Sequence, residues 1–247
     1  MTKRFGAAVR AAVVAAAAVV VPVACAGCGL EDTSLCPSCR DRCVGRVRTE
    51  SAGAFPVWFA LDYEDVVARV VVAFKNQGRT GLSRALAEPF GACVDAAAGA
   101  ASAGGRGRIL VVPVPSRRES VRRRGYRPVI LLARRAGVAL ESVIGFTRQP
   151  LDQIRLGRRE RVDNLRSAMS AHPRIAGSRV LIVDDVVTTG STLHEAARAI
   201  AAAGGTVVGA AVLARTPPGR GVRRGARLAG RSVRVAVTTT GSGTSVE

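Results

Sequence analysis

A chain of 247 residues has room for one ordinary domain and a small one. Its apolar fraction of 48% is ample for a buried core, aromatic residues make up only 4%, and the formal net charge of +19 favours polyanionic partners over basic ones. Of the 37 basic residues 35 are arginines, and neither lysine, Lys3 or Lys75, follows a glycine. A Gly-Lys-Ser or Gly-Lys-Thr phosphate loop is therefore excluded.

The first residues imitate a targeting segment. Lys3, Arg4 and Arg10 precede an Ala/Val run (11–21), and Ala24-Cys25 follows, the pattern of a signal peptide and even of a lipoprotein one. Against this, Cys25 opens a cysteine cluster, and Pro22 sits badly for a lipoprotein cleavage site. The clean apolar run of about eleven residues is also well short of the ~20 that a membrane span needs. We read 1–24 as a helix leading into the cluster, in a cytoplasmic protein without stable membrane insertion.

Five of the six cysteines fall between positions 25 and 43. Cys25, Cys28, Cys36 and Cys39 form C-x2-C-x7-C-x2-C. Each C-x-x-C turn directs two thiolates at one tetrahedral ion, so two turns complete a four-cysteine structural zinc site. A disulfide framework needs an oxidising compartment, for which the rest of the sequence offers no support. Cys43 is a spare or a rival ligand to Cys39, and Cys93, in FGACVDA, reads as a buried helix cysteine. The zinc-ribbon-like knuckle is assigned to 25–54.

FPVWFAL (55–61) reads as an extended apolar piece carrying the only tryptophan. Asp62 then caps a helix, with Asp65 three residues on as a partial capping box. Val66, Val67, Val70, Val71 and Phe74 share one face of it, and Lys75 follows in FKNQGR. A second helix spans about 81–97, and 98–107 is a small-residue linker. ILVVPV (109–114) is a strand, followed by Pro115, Ser116, Arg117 and Arg118, then RRRGYRP (122–128), then a helix carrying Val129, Leu132, Ala133 and Ala136. A strand near 142–147 and a basic helix over 151–165 lead to a strand at 180–183, and 206–213 is the last strand of the core. The alternation predicts an α/β domain over 55–216, a parallel sheet with both faces covered by helices. From Pro217 onward Gly, Arg, Ser and Thr dominate, and 217–247 reads as a basic, mostly disordered tail.

The most informative stretch is VLIVDDVVTTGSTL (180–193). A short buried strand ends in Asp184 and Asp185, and a small hydroxyl-rich turn, Thr188, Thr189, Gly190, Ser191 and Thr192, leads into a helix marked by Leu193, Ala196, Ala197 and Ile200. Ligands of open α/β sheets sit outside the carboxyl ends of strands. Free N–H groups at a helix start suit a phosphate, and Gly190 permits close backbone approach. Carboxylates accept hydrogen bonds from sugar hydroxyls. Acids on one side and donors on the other suggest a sugar phosphate. A Walker B strand end lacks its lysine loop, a phospho-receiver domain lacks a later aspartate because none follows Asp185, and a merely solvated strand end leaves the turn without a purpose.

This stretch resembles, residue for residue over 183–192, the phosphoribosyl-pyrophosphate (PRPP) motif of type I phosphoribosyltransferases. With the cysteine knuckle, the Lys-x-x-Gly pattern of Lys75, Asn76, Gln77 and Gly78, the VPVP run with Arg124-Gly125, and RVDN (161–164), the chain over about 25–215 resembles the ComF/GntX-like family, competence-associated proteins with a type I phosphoribosyltransferase-like domain. One departure stands out: where that family commonly reads Arg-Gly-Phe-Asn-Gln, this chain has Arg124, Gly125, Tyr126, Arg127 and Pro128. The resemblance implies that Asp184 and Asp185 hold the ribose hydroxyls, that the turn wraps the 5′-phosphate, and that Mg²⁺ accompanies PRPP. For the pyrophosphate the basic candidates are Lys75, Arg117, Arg118, Arg122, Arg123 and Arg124. His172 and His194 are the only histidines and read as structural or exposed, so no Ser-His-Asp or Cys-His site is expected. Two functions follow from the resemblance: phosphoribosyl transfer from PRPP to an acceptor, or an accessory role in DNA uptake, with the uptake machinery and single-stranded DNA as partners and the PRPP site as sensor or relic.

Overall fold

The computed structural model describes residues 23–147 and 168–217. The expected N-terminal helix, the basic helix over 151–165, RVDN (161–164) and the tail lie outside the described residues. Among those described, no helix is long and apolar enough to cross a membrane.

The knuckle contains one short helix, α1 (Pro37–Asp41). The chain then forms a hairpin of β1 (Arg48–Ala52) and β2 (Phe55–Asp62), helix α2 (Asp65–Asn76), a 3₁₀ turn (Thr80–Leu82) and the long helix α3 (Ser83–Ala103). Strand β3 (Ile109–Pro113) is followed by two short helices, α4 (Arg118–Arg124) and α5 (Pro128–Arg135). Strands β4 (Ile144–Phe146) and β5 (Met169–Ala171) precede β6 (Arg179–Val187), helix α6 (Ser191–Ala202) and β7 (Thr206–Arg215).

The main sheet runs β1-β2-β7-β6-β3. Pairings β2–β7, β7–β6 and β6–β3 are parallel, and only the edge strand β1 is antiparallel. Strand β6 is buried on both faces, which is why it reads as an unbroken apolar run rather than an alternating one. Leu181 and Val183 pack into a cluster with α2, α3 and α5 on one face. Val180 and Ile182 pack with Leu193, Ala196 and Ile200 of α6 on the other. The knuckle shares the first cluster through Cys25, Leu35, Cys36, Cys39 and Cys43. It is also tied to α2: Arg69 Nε donates to Gly27 O at 2.5 Å, and beyond that helix Arg79 Nη2 donates to Ser34 O at 2.9 Å.

Several elements differ from expectation, each for a local reason. Asp62 does not cap α2: it ends β2, where Arg48 Nη1 holds its carboxylate at 3.0 Å, and the cap position falls to Glu64, whose side chain does not bond to the first turn of the helix. Helix α3 runs six residues past the expected end, because 98–103 is alanine-rich and alanine propagates a helix until Gly104 stops it. Arg118 opens a helix, α4, that its charge run concealed. Strand β6 extends four residues beyond Val183, so the acidic pair lies within its last part rather than after it. The strand near 142–147 is present, but it pairs with β5 in a separate two-stranded sheet. Strands β1 and β5 carry no apolar pattern a reader could detect, RTESA and MSA. Cys93 is fully buried in α3, as expected.

Candidate functional site

The acidic pair stands where the sheet steps down. Strand β3 ends at Pro113, opposite Val183, while β7 continues beside β6 as far as Arg215 opposite Val187. Asp184 and Asp185 therefore project past the end of β3 at the carboxyl edge of the sheet, the ligand side of such folds. The Asp185 side chain is 8% exposed, and Lys75 Nζ stands 2.8 Å from its Oδ1. The backbone N–H of Asp185 donates to Asp184 Oδ1 at 2.8 Å and fixes that half-buried carboxylate. Burial, followed by the charge of Asp185, pushes the Asp184 carboxyl up to about 7, with Lys75 pulling the other way. For Lys75 burial disfavours the ammonium, but the charges of Asp185 and then Asp184 outweigh it and raise its pKa.

Lys75 and Arg124 are the two basic candidates that gather here. Arg124 Nη2 donates to Asn76 Oδ1 at 3.1 Å, so the KNQG and RRRGYRP motifs meet. The Tyr126 ring packs on Phe74 at 5.8 Å between centroids. Its hydroxyl and Arg124 Nε are buried without a hydrogen-bond partner among the described residues. Burial raises the Tyr126 phenol, as it does that of Tyr63, and both phenols feel the charges of Lys75 and Asp185. Arg122 and Arg123 lie exposed on α4, Arg117 is the N-cap residue of that helix, and Arg118 lines a groove on the far side of β3. Tyr63, Asn76 and Tyr126 are not among the expected site residues: Asn76 and Tyr126 lie inside the KNQG and RRRGYRP motifs, and Tyr63 lies in neither.

The hydroxyl turn follows directly. Gly190 has φ +75°, the left-handed conformation that glycine adopts without strain, and serves as the N-cap of α6. It brings no capping side chain, and no carboxylate lies in the first turn of α6. The Ser191 N–H donates to Thr189 Oγ1 at 3.4 Å, and the remaining first-turn N–H groups with the helix dipole suit an anion. Thr188 and Thr189 are exposed, and Ser191 and Thr192 half-buried. Thr189 Oγ1 and Ser191 Oγ lie 2.8 Å apart. His194, one turn into the helix, has Nδ1 3.0 Å from Gly190 O and its ring 5.9 Å from that of Phe55, a structural role that braces the turn.

In the knuckle the sulfurs of Cys25, Cys28, Cys36 and Cys39 all lie within 4.8 Å of one another. Backbone N–H groups of Gly27 and Cys36 each approach Cys25 Sγ at 3.4 Å. Burial opposes the Cys25 thiolate, but the N–H groups of Cys36, Cys28 and Gly27 bring its pKa down to about 6. Burial pushes the Cys43 thiol up to about 11, and Cys43 is not one of the four. Four sulfurs at this separation, with amides aimed at one of them, fit a tetrahedral metal ion.

A family model described as phosphoribosyl transferase domain matches residues 120–239. The chain is 39% identical over 114 residues to "DNA utilization protein YhgH" of Salmonella typhi, covering 44% of this chain and 49% of that protein. It is 48% identical over 52 residues to an orotate phosphoribosyltransferase of Pelotomaculum thermopropionicum, covering 21% of this chain and 26% of that one. The chain thus spans about half the length, or less, of the curated relatives it matches. Among solved structures it resembles an adenine phosphoribosyltransferase from Thermoanaerobacter pseudethanolicus at 16% identity and a TM-score of 0.30, covering 70% of this chain and 95% of that chain.

The acidic pair carries a stability cost that pH exposes. The Asp184 carboxyl, ordinarily near 3.8, titrates at about 7 in the folded protein, so the folded state holds this proton more tightly than the unfolded chain does. Its stabilising contribution is full below about pH 4 and is lost as pH rises to about 7. Asp184→Asn, which removes the charge, should raise the unfolding free energy by roughly 2 kcal/mol at pH 8 and change it little near pH 4. Urea unfolding midpoints at the two pH values check this, and an unstabilised variant at pH 8 would refute it.

Proposed function

We propose that this chain, a ComF-like protein carrying a phosphoribosyltransferase domain, binds PRPP with Mg²⁺ at 183–192 and transfers its phosphoribosyl group to an acceptor. The observation that carries this reading is the convergence on one sheet edge of a buried carboxylate pair, a lysine and a hydroxyl-rich helix start. Asp184 and Asp185 accept hydrogen bonds from the ribose hydroxyls. The 5′-phosphate takes the N–H and hydroxyl donors of the turn from Thr188 to Thr192. Lys75 and Arg124, with Arg117 and Arg122 from the neighbouring turn and helix, supply positive charge for the pyrophosphate. Mg²⁺, when bound with PRPP, neutralises charge on the departing pyrophosphate. In transfer the bond from ribose C1 to the pyrophosphate oxygen breaks, that oxygen keeps the electron pair, and the acceptor's lone pair forms the new bond to C1. Such a step asks the protein for positioning and electrostatics rather than for a nucleophile. The four-cysteine cluster holds a structural zinc ion.

A second reading has its own support. The net charge of +19 and the likeness to a protein named for DNA utilization favour an accessory role in DNA uptake, with single-stranded DNA bound by arginines.

Three measurements test these readings. Isothermal titration should show Mg²⁺-dependent PRPP binding that Asp184→Asn with Asp185→Asn weakens by at least roughly tenfold, since two charged acceptors are lost; wild-type affinity in the double variant would place the ligand elsewhere. Elemental analysis should find one zinc per chain, and a zinc-free protein, or a lipidated Cys25 in the cell, would refute the knuckle. Fluorescence anisotropy with a labelled oligonucleotide should show affinity falling with salt at a log–log slope of roughly −0.7 for each phosphate neutralised. No binding at low salt ends the DNA reading, and loss only in a chain truncated after Thr216 assigns the contact to 217–247.

A further inference from the structure

Not all the arginines after β3 face the acidic pair. The other edge of β3 is followed by a second segment: Glu141 N donates to Val111 O at 2.9 Å, and the chain continues along that edge into β4. Between this segment, the turn after β3 and the start of α5 lies a groove of about 350 Å³. It is separated from Asp184 and Asp185 by the width of β3, and no carboxylate lines it.

Its lining is chemically divided. Arg118 and Arg127 reach it, both exposed, and neither makes an ion pair or hydrogen bond among the described residues. Val129 and Ile130 also line it, and they belong to the first turn of α5. The first helical bond there runs from Leu131 N to Arg127 O at 3.0 Å, so their N–H groups come before the helical ladder. Two unpaired guanidinium groups beside open helix N–H groups suit a phosphate. The rest of the wall includes the half-buried ring of Phe146 and the hydroxyls of Ser116 and Ser142. An aromatic face with nearby hydroxyls suits a nucleobase and its sugar. At this volume, near the small end of the ~300–1,000 Å³ range of ligand pockets, the groove holds one nucleotide residue and not a run of them. Pro128, in the first turn, fixes the start of α5 directly after the N-cap residue Arg127.

We propose that this groove is a second binding site, separate from the acidic pair, for a phosphorylated nucleoside: the phosphate between Arg118 and Arg127, the base against Phe146. The ligand arrives either as a free mononucleotide or as the 5′-phosphorylated end of a single strand.

Full-length protein is titrated with 2′-deoxyadenosine 5′-monophosphate, with inorganic phosphate, and with a short single strand with and without its 5′-phosphate. Arg118→Gln with Arg127→Gln should weaken mononucleotide or phosphorylated-strand binding by on the order of tenfold or more, with an unchanged melting temperature. Phe146→Ala should weaken the nucleotide but not inorganic phosphate. Asp184→Asn with Asp185→Asn should leave nucleotide binding intact, so this test stands whether or not PRPP binds at the turn. Preference for the free mononucleotide, or for the phosphorylated strand, identifies the source. Binding of neither, binding indifferent to the two arginines, or binding abolished by the Asp184/Asp185 variant instead, overturns the proposal.

Discussion

The contact on which the candidate site depends is the 2.8 Å pair between Lys75 Nζ and Asp185 Oδ1. A carboxylate as enclosed as Asp185 is costly without a compensating charge, and removing one partner of such a pair typically costs ~3–5 kcal/mol. The pair joins residues 110 positions apart in sequence. It therefore holds α2 against the carboxyl end of β6, and with α2 come Asn76, its bond to Arg124, and the tilted ring contact of Phe74 with Tyr126. The motifs that surround Asp184 are assembled through this one helix.

Helix α2 has a second attachment, at the knuckle. Arg69 reaches Gly27 O from within the helix, and Cys25, Cys36, Cys39 and Cys43 share its apolar cluster. A metal ion in the cysteine cluster contributes its binding energy to folding. Through α2 an ion held there would also support the position of Lys75. The knuckle and the acidic pair are thus mechanically connected, although their sequences lie far apart.

Burial of β6 on both faces has an electrostatic consequence. A strand covered by helices can present charges only at its ends, and there Asp184 and Asp185 sit side by side with a single lysine between solvent and core. One lysine satisfies Asp185 and leaves Asp184 with a raised pKa. Perturbed titration of this kind collects at functional sites, where stability is traded for charge held ready for a ligand. The arginines divide differently: Arg124, at the end of α4, turns towards the pair, while Arg118, at the start of that helix, and Arg127, just before α5, face the groove across β3.

Local sequence alone determined the strand–acid–turn–helix order at 180–193, the doubled C-x-x-C turns, and the apolar face of α2, since each depends on residues within a few positions of one another. It also carried the parallel sheet, because β6 and β7 are continuous apolar runs and such runs need cover on both sides. It misplaced the cap of α2, since Asp62 was claimed by Arg48 across the hairpin, and it cut α3 short, since small residues read as a linker although alanine favours helix. Strands β1 and β5 were invisible because their pairing comes from backbone hydrogen bonds to neighbours and not from a side-chain pattern. Only the tertiary structure decided which of the basic residues meet the carboxylates. The arginines of RRRGYRP all carry the same charge, and the direction of each side chain is set by where Gly125 and Pro128 break the helix and by what packs against the result.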